Sequence, residues 1–419
     1  MLRRSLVGVA ALVLLIATAT PARAAQTYPV SFHWFDLGRP AASAGVSYSS
    51  AGVTLGMSGL SSGTYSDSYG NGPFPFVSGS WTSPSWTPAP FTELVASWNA
   101  DTPLGTWIQV EMRATTDRGT LTKWYVMGEW AYDDSYFHRT SIGHQGDADG
   151  FIAIDTFFAK DHPMTDYQLR VTLFRSSTSR ATPTLTFLGA VASDAPNLKP
   201  QVPSPLGGAE GIELGVPSYS QETHSGEYPA FDGGGEFWCS PTSTSMILGY
   251  WKALPDKGSW SYVLKDYPNT SDPWVDYAAR YVYDYHYQGA GNWPFNAAYA
   301  AHWGLRGFVT QLRSLNEAEQ FIKAGIPLVA SLAFNPNQLA GFLFDKGTNG
   351  HLLTIIGFDG KGNVISNDPA STSDAAVRHV YDRTEFERNW LSSTGGIVYV
   401  LRPTSVPLPP NTPNQPANW

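Results

Sequence analysis

The chain opens with an apolar run, Leu6 to Thr18, behind the cations Arg3 and Arg4 and ahead of the small-x-small triplet Ala22-Arg23-Ala24. That run is too short to cross a bilayer comfortably, and the triplet suits a processing peptidase. A signal peptide over residues 1–24 is therefore expected, with the mature chain beginning near Ala25. No cysteine follows at a lipid-attachment position, so a secreted, extracellular protein is expected, with no membrane span once the leader is removed. From Gln26 to about Asp194 the pattern turns to alternation. Trp107 to Arg113 and Tyr167 to Leu173 alternate or carry β-branched and aromatic residues, and Gly, Pro, Asp and Ser clusters separate such segments. With no helical period in view, residues 25–194 read as an all-β sandwich. Residues 195–211 hold Pro196, Pro200, Pro203, Pro205 and Gly207-Gly208, the composition of a linker.

Residues 212–402 change character. Met246, Ile247, Tyr250, Trp251 and Leu254 mark one helical face behind Ser240-Pro241, where proline suits a first turn. A second helix is expected from Pro273 to about Tyr287, capped by Asp272. Ser314-Leu315-Asn316-Glu317 is a capping box, and Gly325 ends that helix. Strands are expected at Leu328 to Ala333, His351 to Phe358, Asn363 to Ser366 and Ile397 to Leu401. A short helix bearing Phe386 and Trp390 precedes the last of them. Helices followed by an antiparallel sheet make an α+β domain, so the chain is read as multidomain. The Pro- and Asn-rich residues 403–419 read as a disordered tail.

Composition sharpens this in two places. Loss of Arg3, Arg4 and Arg23 with the leader takes the formal charge from −9 to −12, which disfavours nucleic acid and anionic lipid as partners. There is one cysteine, Cys239. A lone thiol in a secreted chain has no internal disulfide; it is either a small buried hydrophobe or a reactive group. Its position favours the second reading. Cys239 stands where a helix begins, and free amide hydrogens there favour a thiolate. The preceding Gly233-Gly234-Gly235 allows close backbone approach.

A thiolate needs a base. A two-residue turn at Asp359-Gly360 would pair Phe358 with Lys361 and, further along, His351 with Asp368. A longer turn ending at Gly362 would shift the pairing by two residues, still within reach of an imidazole. The candidate catalytic residues are thus Cys239 as nucleophile, His351 as base and Asp368 as the group that orients the imidazole. Gln221 is the candidate side-chain donor of an oxyanion hole, against the plain alternative of an ordinary loop glutamine.

Four segments now form a recognisable order. Val216-Pro217-Ser218-Tyr219-Ser220-Gln221, Cys239-Ser240-Pro241-Thr242-Ser243, the strand Gly350 to Phe358, and Asn367-Asp368-Pro369-Ala370 resemble the motifs of the bacteriocin-processing (double-glycine leader) peptidases and their secreted, papain-like relatives. Gly291 to Asn296 and Ala324 to Val329 resemble intervening segments of that family. The resemblance covers roughly residues 212–402. It implies a papain-like cysteine peptidase with a Cys–His–Asp triad, a thioester acyl-enzyme, an amide oxyanion donor at Gln221, a peptide or protein substrate and no cofactor. Ser240 stands where the family has glycine, and the gap from Gln221 to Cys239 is long, so Glu222 or His224 is an alternative lining residue.

Gly146-Asp147-Ala148-Asp149-Gly150 is either the start of a calcium loop or a polar turn, and the rest of the ligand spacing is missing. His138 and His144 form no metal-ligand pattern. Trp81, Trp86, Trp98, Trp107, Trp124 and Trp130 either pack a core or form a row that stacks on carbohydrate at a cell surface. Two rivals to the peptidase reading remain: a cell-wall peptide amidase or acyl-transfer enzyme on the same fold, and a non-catalytic surface-binding protein.

Overall fold

The computed structural model describes residues 28–195, 200, 202–342 and 347–419. The expected signal peptide lies outside the described residues. No helix among the described residues is long and apolar enough to cross a membrane.

Residues 28–195 are β-rich and form two antiparallel sheets of seven and six strands. The two alternating segments singled out in the sequence are central, Thr106–Thr116 and Met164–Ser176, and they pair with each other, Val110 opposite Val171. Their inward residues Val110, Leu169 and Val171 share a core with Trp98, Leu188 and Ala190 of the other sheet. Of the six tryptophans, Trp81, Trp98, Trp107 and Trp130 are fully buried. Trp124 is held between the guanidinium groups of Arg113 and Arg170, 4.5 and 4.3 Å from its ring. These six therefore form no exposed row. Trp86 stacks on His33 at 3.6 Å and borders a shallow depression with the exposed Trp34.

Beyond residue 212 helices and a six-stranded antiparallel sheet alternate. The sheet runs in the order Arg306–Gln311, Ile397–Arg402, Leu328–Phe334, Thr348–Phe358, Val364–Asn367, Arg378–Tyr381. Helix Cys239–Tyr250 lies against the central strands, buried from Ser240 to Leu248. The expected second helix is shorter, Trp274–Val282, and Asp272 does not cap it; Pro273 takes the cap position with no side-chain bond. The chain leaves the helix because Asp284 Oδ1 collects the N–H groups of Ser141, His286 and Tyr287, which nucleates a turn. The capping box stands as read at Ser314, whose hydroxyl accepts from Glu317 N, but the Glu317 carboxylate takes the Arg313 N–H rather than that of Ser314. The helix at Trp293–His302 and the strand Arg306–Gln311 were not foreseen.

The described part of the linker is pinned: Gly207 N and Ala209 N both donate to the buried Glu319 carboxylate, at 2.6 and 3.0 Å. One composition-based expectation, the disordered tail, fails: the tail is ordered. Trp419 packs its indole on Phe321 at 5.0 Å, and Asn418 bridges Gln311 O and Glu317. Arg313 ties the tail to the first region by donating to Pro416 O and Val30 O. Proline-rich segments lack internal bonds, but the partners here come from distant elements, which composition does not register.

The two regions are joined by backbone-directed bonds. Asn99 both donates to Gly307 O and accepts from Gly307 N, and Ser97 accepts from Val309 N. Trp98 and Trp130 close on Phe295 across the same junction. The apolar core runs from one region into the other without a break.

Candidate active site

The approach to Cys239 depends on glycine. Gly234 has φ of 111°, a conformation costly for other residues. A Cβ on Gly235 would lie 2.3 Å from the His224 carbonyl carbon, so the two loops touch only because that atom is missing. Trp238, fully buried, donates its indole N–H to Phe231 O at 2.7 Å and fixes the chain as it enters the helix. The Cys239 N–H finds no acceptor among the described residues. The thiol itself is half-buried, and Phe237 beside it is 61% exposed. Ser240 is turned into the core, its hydroxyl 2.9 Å from that of Tyr399 in the sheet. The serine that replaces glycine is thus absorbed by the core.

The hairpin that presents His351 differs from the two-residue turn. Its loop is longer, and Gly362 with φ of 82° closes it by donating to Asp359 O. Phe358 faces Val364 and Gly357 faces Ile365. An irregularity at Ile356 then shifts the ladder, so that Ile355 faces Ser366 and Thr354 faces Asn367. This one-residue bulge decides the chemistry. Without it Asp368 would fall opposite Thr354, on the wrong face for His351; with it Asp368 falls opposite Leu353, which shares a face with His351. The expected His351–Asp368 contact therefore forms diagonally: Nε2–H donates to Asp368 Oδ1 at 2.7 Å.

Both partners are buried, at 4% and 1% exposure. Burial opposes the charge on His351, but the Asp368 carboxylate, with a smaller contribution from Cys239, outweighs it and pushes the imidazole up to about 10. Burial likewise opposes the Asp368 charge, and His351 overcomes it, so the carboxyl is held below its ordinary range. With Nε2 committed to Asp368, Nδ1 is the ring nitrogen left for another partner. Phe342 lies edge-on to the imidazole, centroids 5.3 Å apart.

Gln221 converges on the same place. Its N–H donates to Pro369 O, next to Asp368, and its side-chain Nε2 donates to Glu236 O at 2.5 Å and to Glu222 Oε1 at 3.2 Å. The amide therefore lies on the loop that delivers Cys239, with both hydrogens engaged in this arrangement. An oxyanion would compete with Glu222 for the weaker of the two. Of the alternatives, Glu222 borders the amide, whereas His224 is buried away in a separate carboxylate cluster.

Tyr381 was missed. Its hydroxyl donates to Asp368 Oδ2 at 2.6 Å, while Ala370 N donates to Oδ1 at 3.0 Å. The carboxylate is thereby fixed by donors on three sides. Nothing local in Arg378-His379-Val380-Tyr381 marks this role, because it depends on the pairing of Ile365 with Val380 one strand away. Tyr381→Phe leaves Asp368 Oδ2 buried without its donor. The expected outcome is a loss of about 1.5–3 kcal/mol in urea unfolding, since the lost bond is to a charged group.

The calcium-loop alternative resolves to a turn: Asp147 Oδ1 accepts from Tyr125 OH, Asp149 N and Gly150 N, and Lys123 neutralises Oδ2 at 3.2 Å.

Two family models match the chain, "Peptidase C39 N-terminal domain" over residues 34–193 and "Peptidase_C39 like family" over residues 213–398. The second match supports a peptidase, a hydrolase, in the region that carries Cys239, His351 and Asp368. No curated protein matches the chain. Among solved structures, a xylan-binding module CBM15 is 13% identical, over 38% of this chain and 95% of its own, with a TM-score of 0.17. A likeness at that level carries no argument about ligands.

Proposed function

We propose that the chain is a secreted cysteine peptidase of papain-like arrangement, in which Cys239, His351 and Asp368 form the catalytic triad. The supporting observation is the buried His351–Asp368 pair beside a half-exposed thiol at a helix start. Cys239 Sγ attacks the substrate carbonyl carbon as a thiolate, its proton having passed to His351 Nδ1. The oxyanion that forms is met by the free Cys239 N–H and by the Gln221 amide. His351 then gives its proton to the leaving amine, and the C–N bond breaks to leave a thioester. Water, deprotonated by the same imidazole, attacks the thioester carbon, the C–S bond breaks to release the acid, and the Cys239 thiolate is restored beside the imidazolium. Asp368 carries no proton in this sequence; it orients the ring and stabilises its cationic form.

The test is hydrolysis of a mixed panel of peptides and denatured proteins beside peptide-bearing cell-wall fragments. Turnover of peptides supports this reading. Turnover of wall fragments alone assigns the same residues to an amidase instead. Gln221→Ala is expected to lower kcat by about a hundredfold with KM changing little, as for loss of one oxyanion donor. An unchanged kcat would leave the oxyanion to backbone donors. For the N-terminal region, a carbohydrate or cell-surface ligand is a proposal that rests on the Trp34–Trp86 depression.

A further inference from the structure

Away from the triad, three ionisable side chains meet in the interior. His224 ends the short turn Gln221–His224, Glu227 follows three residues later, and Asp276 projects from helix Trp274–Val282. His224 Nδ1 lies 2.9 Å from Asp276 Oδ2 and 3.1 Å from Glu227 Oε2. One potential ligand atom from each residue falls within 4.8 Å of the others. His224 is 0% and Asp276 1% exposed.

With both carboxyl groups ionised, the protons do not suffice for this arrangement. Nδ1 carries one hydrogen at most, and its bonding geometry is toward Glu227. The Thr270 hydroxyl also goes to Glu227, at 2.9 Å. Neither oxygen of Asp276 receives a hydrogen bond, although Oδ2 is so close to the imidazole nitrogen. A buried carboxylate without a donor, turned toward a second carboxylate, is strongly unfavourable. An ion at the centre removes the conflict. Nitrogen and oxygen ligands about 2.0–2.2 Å from one cation stand roughly 3–3.5 Å from each other, close to the two distances from His224 Nδ1. An imidazole beside two carboxylates suits a transition-metal dication better than calcium or magnesium, which prefer all-oxygen shells.

We propose that His224, Glu227 and Asp276 bind one divalent transition-metal ion, with Zn²⁺ the best match, as a structural tie. The ion fastens the turn that begins with Gln221 to helix Trp274–Val282. Through the contact of Gly235 with the His224 carbonyl, it also steadies the loop entering Cys239. It takes no part in bond breaking.

The experiment uses the full chain carrying Cys239→Ala, which removes the thiol as a stray ligand. The protein is equilibrated with Zn²⁺, dialysed against metal-free buffer, and its metal content measured by mass spectrometry. One Zn²⁺ per chain is expected, falling to background in Asp276→Asn and Glu227→Gln. A strong chelator should lower Tm by roughly 5 °C or more, and Zn²⁺ should restore it. If either variant fails to fold, the chelator and restoration readings on the parent decide. Substoichiometric Zn²⁺ together with a Tm indifferent to chelator and to added Zn²⁺ overturns the proposal and leaves a hydrogen-bonded acid cluster. Because no substrate is involved, this outcome is independent of the peptidase assignment.

Discussion

Cys239→Ala is expected to lower kcat/KM on peptide substrates by about a millionfold, to the background rate, and His351→Ala by nearly as much. The argument is one of indivisible function. In the proposed mechanism the thiol forms the acyl-enzyme, and the imidazole both activates it and protonates the leaving amine. Removing either ends the covalent route, so the double variant should be no worse than the worse single one. Both substitutions are expected to leave the fold intact. Cys239 is half-buried at a helix start, and alanine there sacrifices little packing. Substrate turnover and circular dichroism on the same preparations check both halves. A cysteine variant with appreciable activity would place the chemistry elsewhere.

Asp368→Asn is expected to lower kcat/KM by about 10⁴-fold and to move the pH profile. In the wild type His351 is pushed up to about 10, against burial, by the carboxylate and the thiol. An asparagine in the same place accepts a hydrogen bond but supplies no charge, so burial dominates and the imidazole loses its proton at lower pH. The alkaline limb of kcat/KM, which in the wild type falls as pH rises through about 10, should move to lower pH in the variant. Stability follows the same groups. The His351 contribution is present in full below its unfolded value of 6.5 and is lost as pH rises through about 10. The Asp368 contribution is present above its unfolded value of 3.8 and is lost as pH falls through its depressed folded value. Urea unfolding across that range should therefore give a plateau in the wild type that is lowered in Asp368→Asn.

How much of this was legible in the sequence depends on the range of the interaction. The nucleophile's setting is local: glycines, an aromatic, a cysteine and an early proline are all within ten residues, and the helix starts at Cys239 as the pattern implies. The His351–Asp368 contact was legible because two strands joined by a short turn keep their side chains in step. The turn was longer than read, and a bulge at Ile356 restored the face that the longer turn would have lost. Tyr381 and the His224–Glu227–Asp276 cluster were not legible, because each depends on elements brought together only by the sheet and helix packing. The expectation of a disordered tail failed for the same reason: Trp419 finds Phe321 and Asn418 finds Glu317, neither of which is near in sequence.

The central claim is that His351 activates Cys239 for attack on an acyl-type carbon. It is tested most directly by timing covalent capture of the thiol by an electrophilic peptide probe, with the adduct located by mass spectrometry. The account predicts one adduct per chain, on Cys239, formed at least about a hundredfold more slowly in His351→Ala. Absence of an adduct, or equal rates in the two proteins, would contradict it.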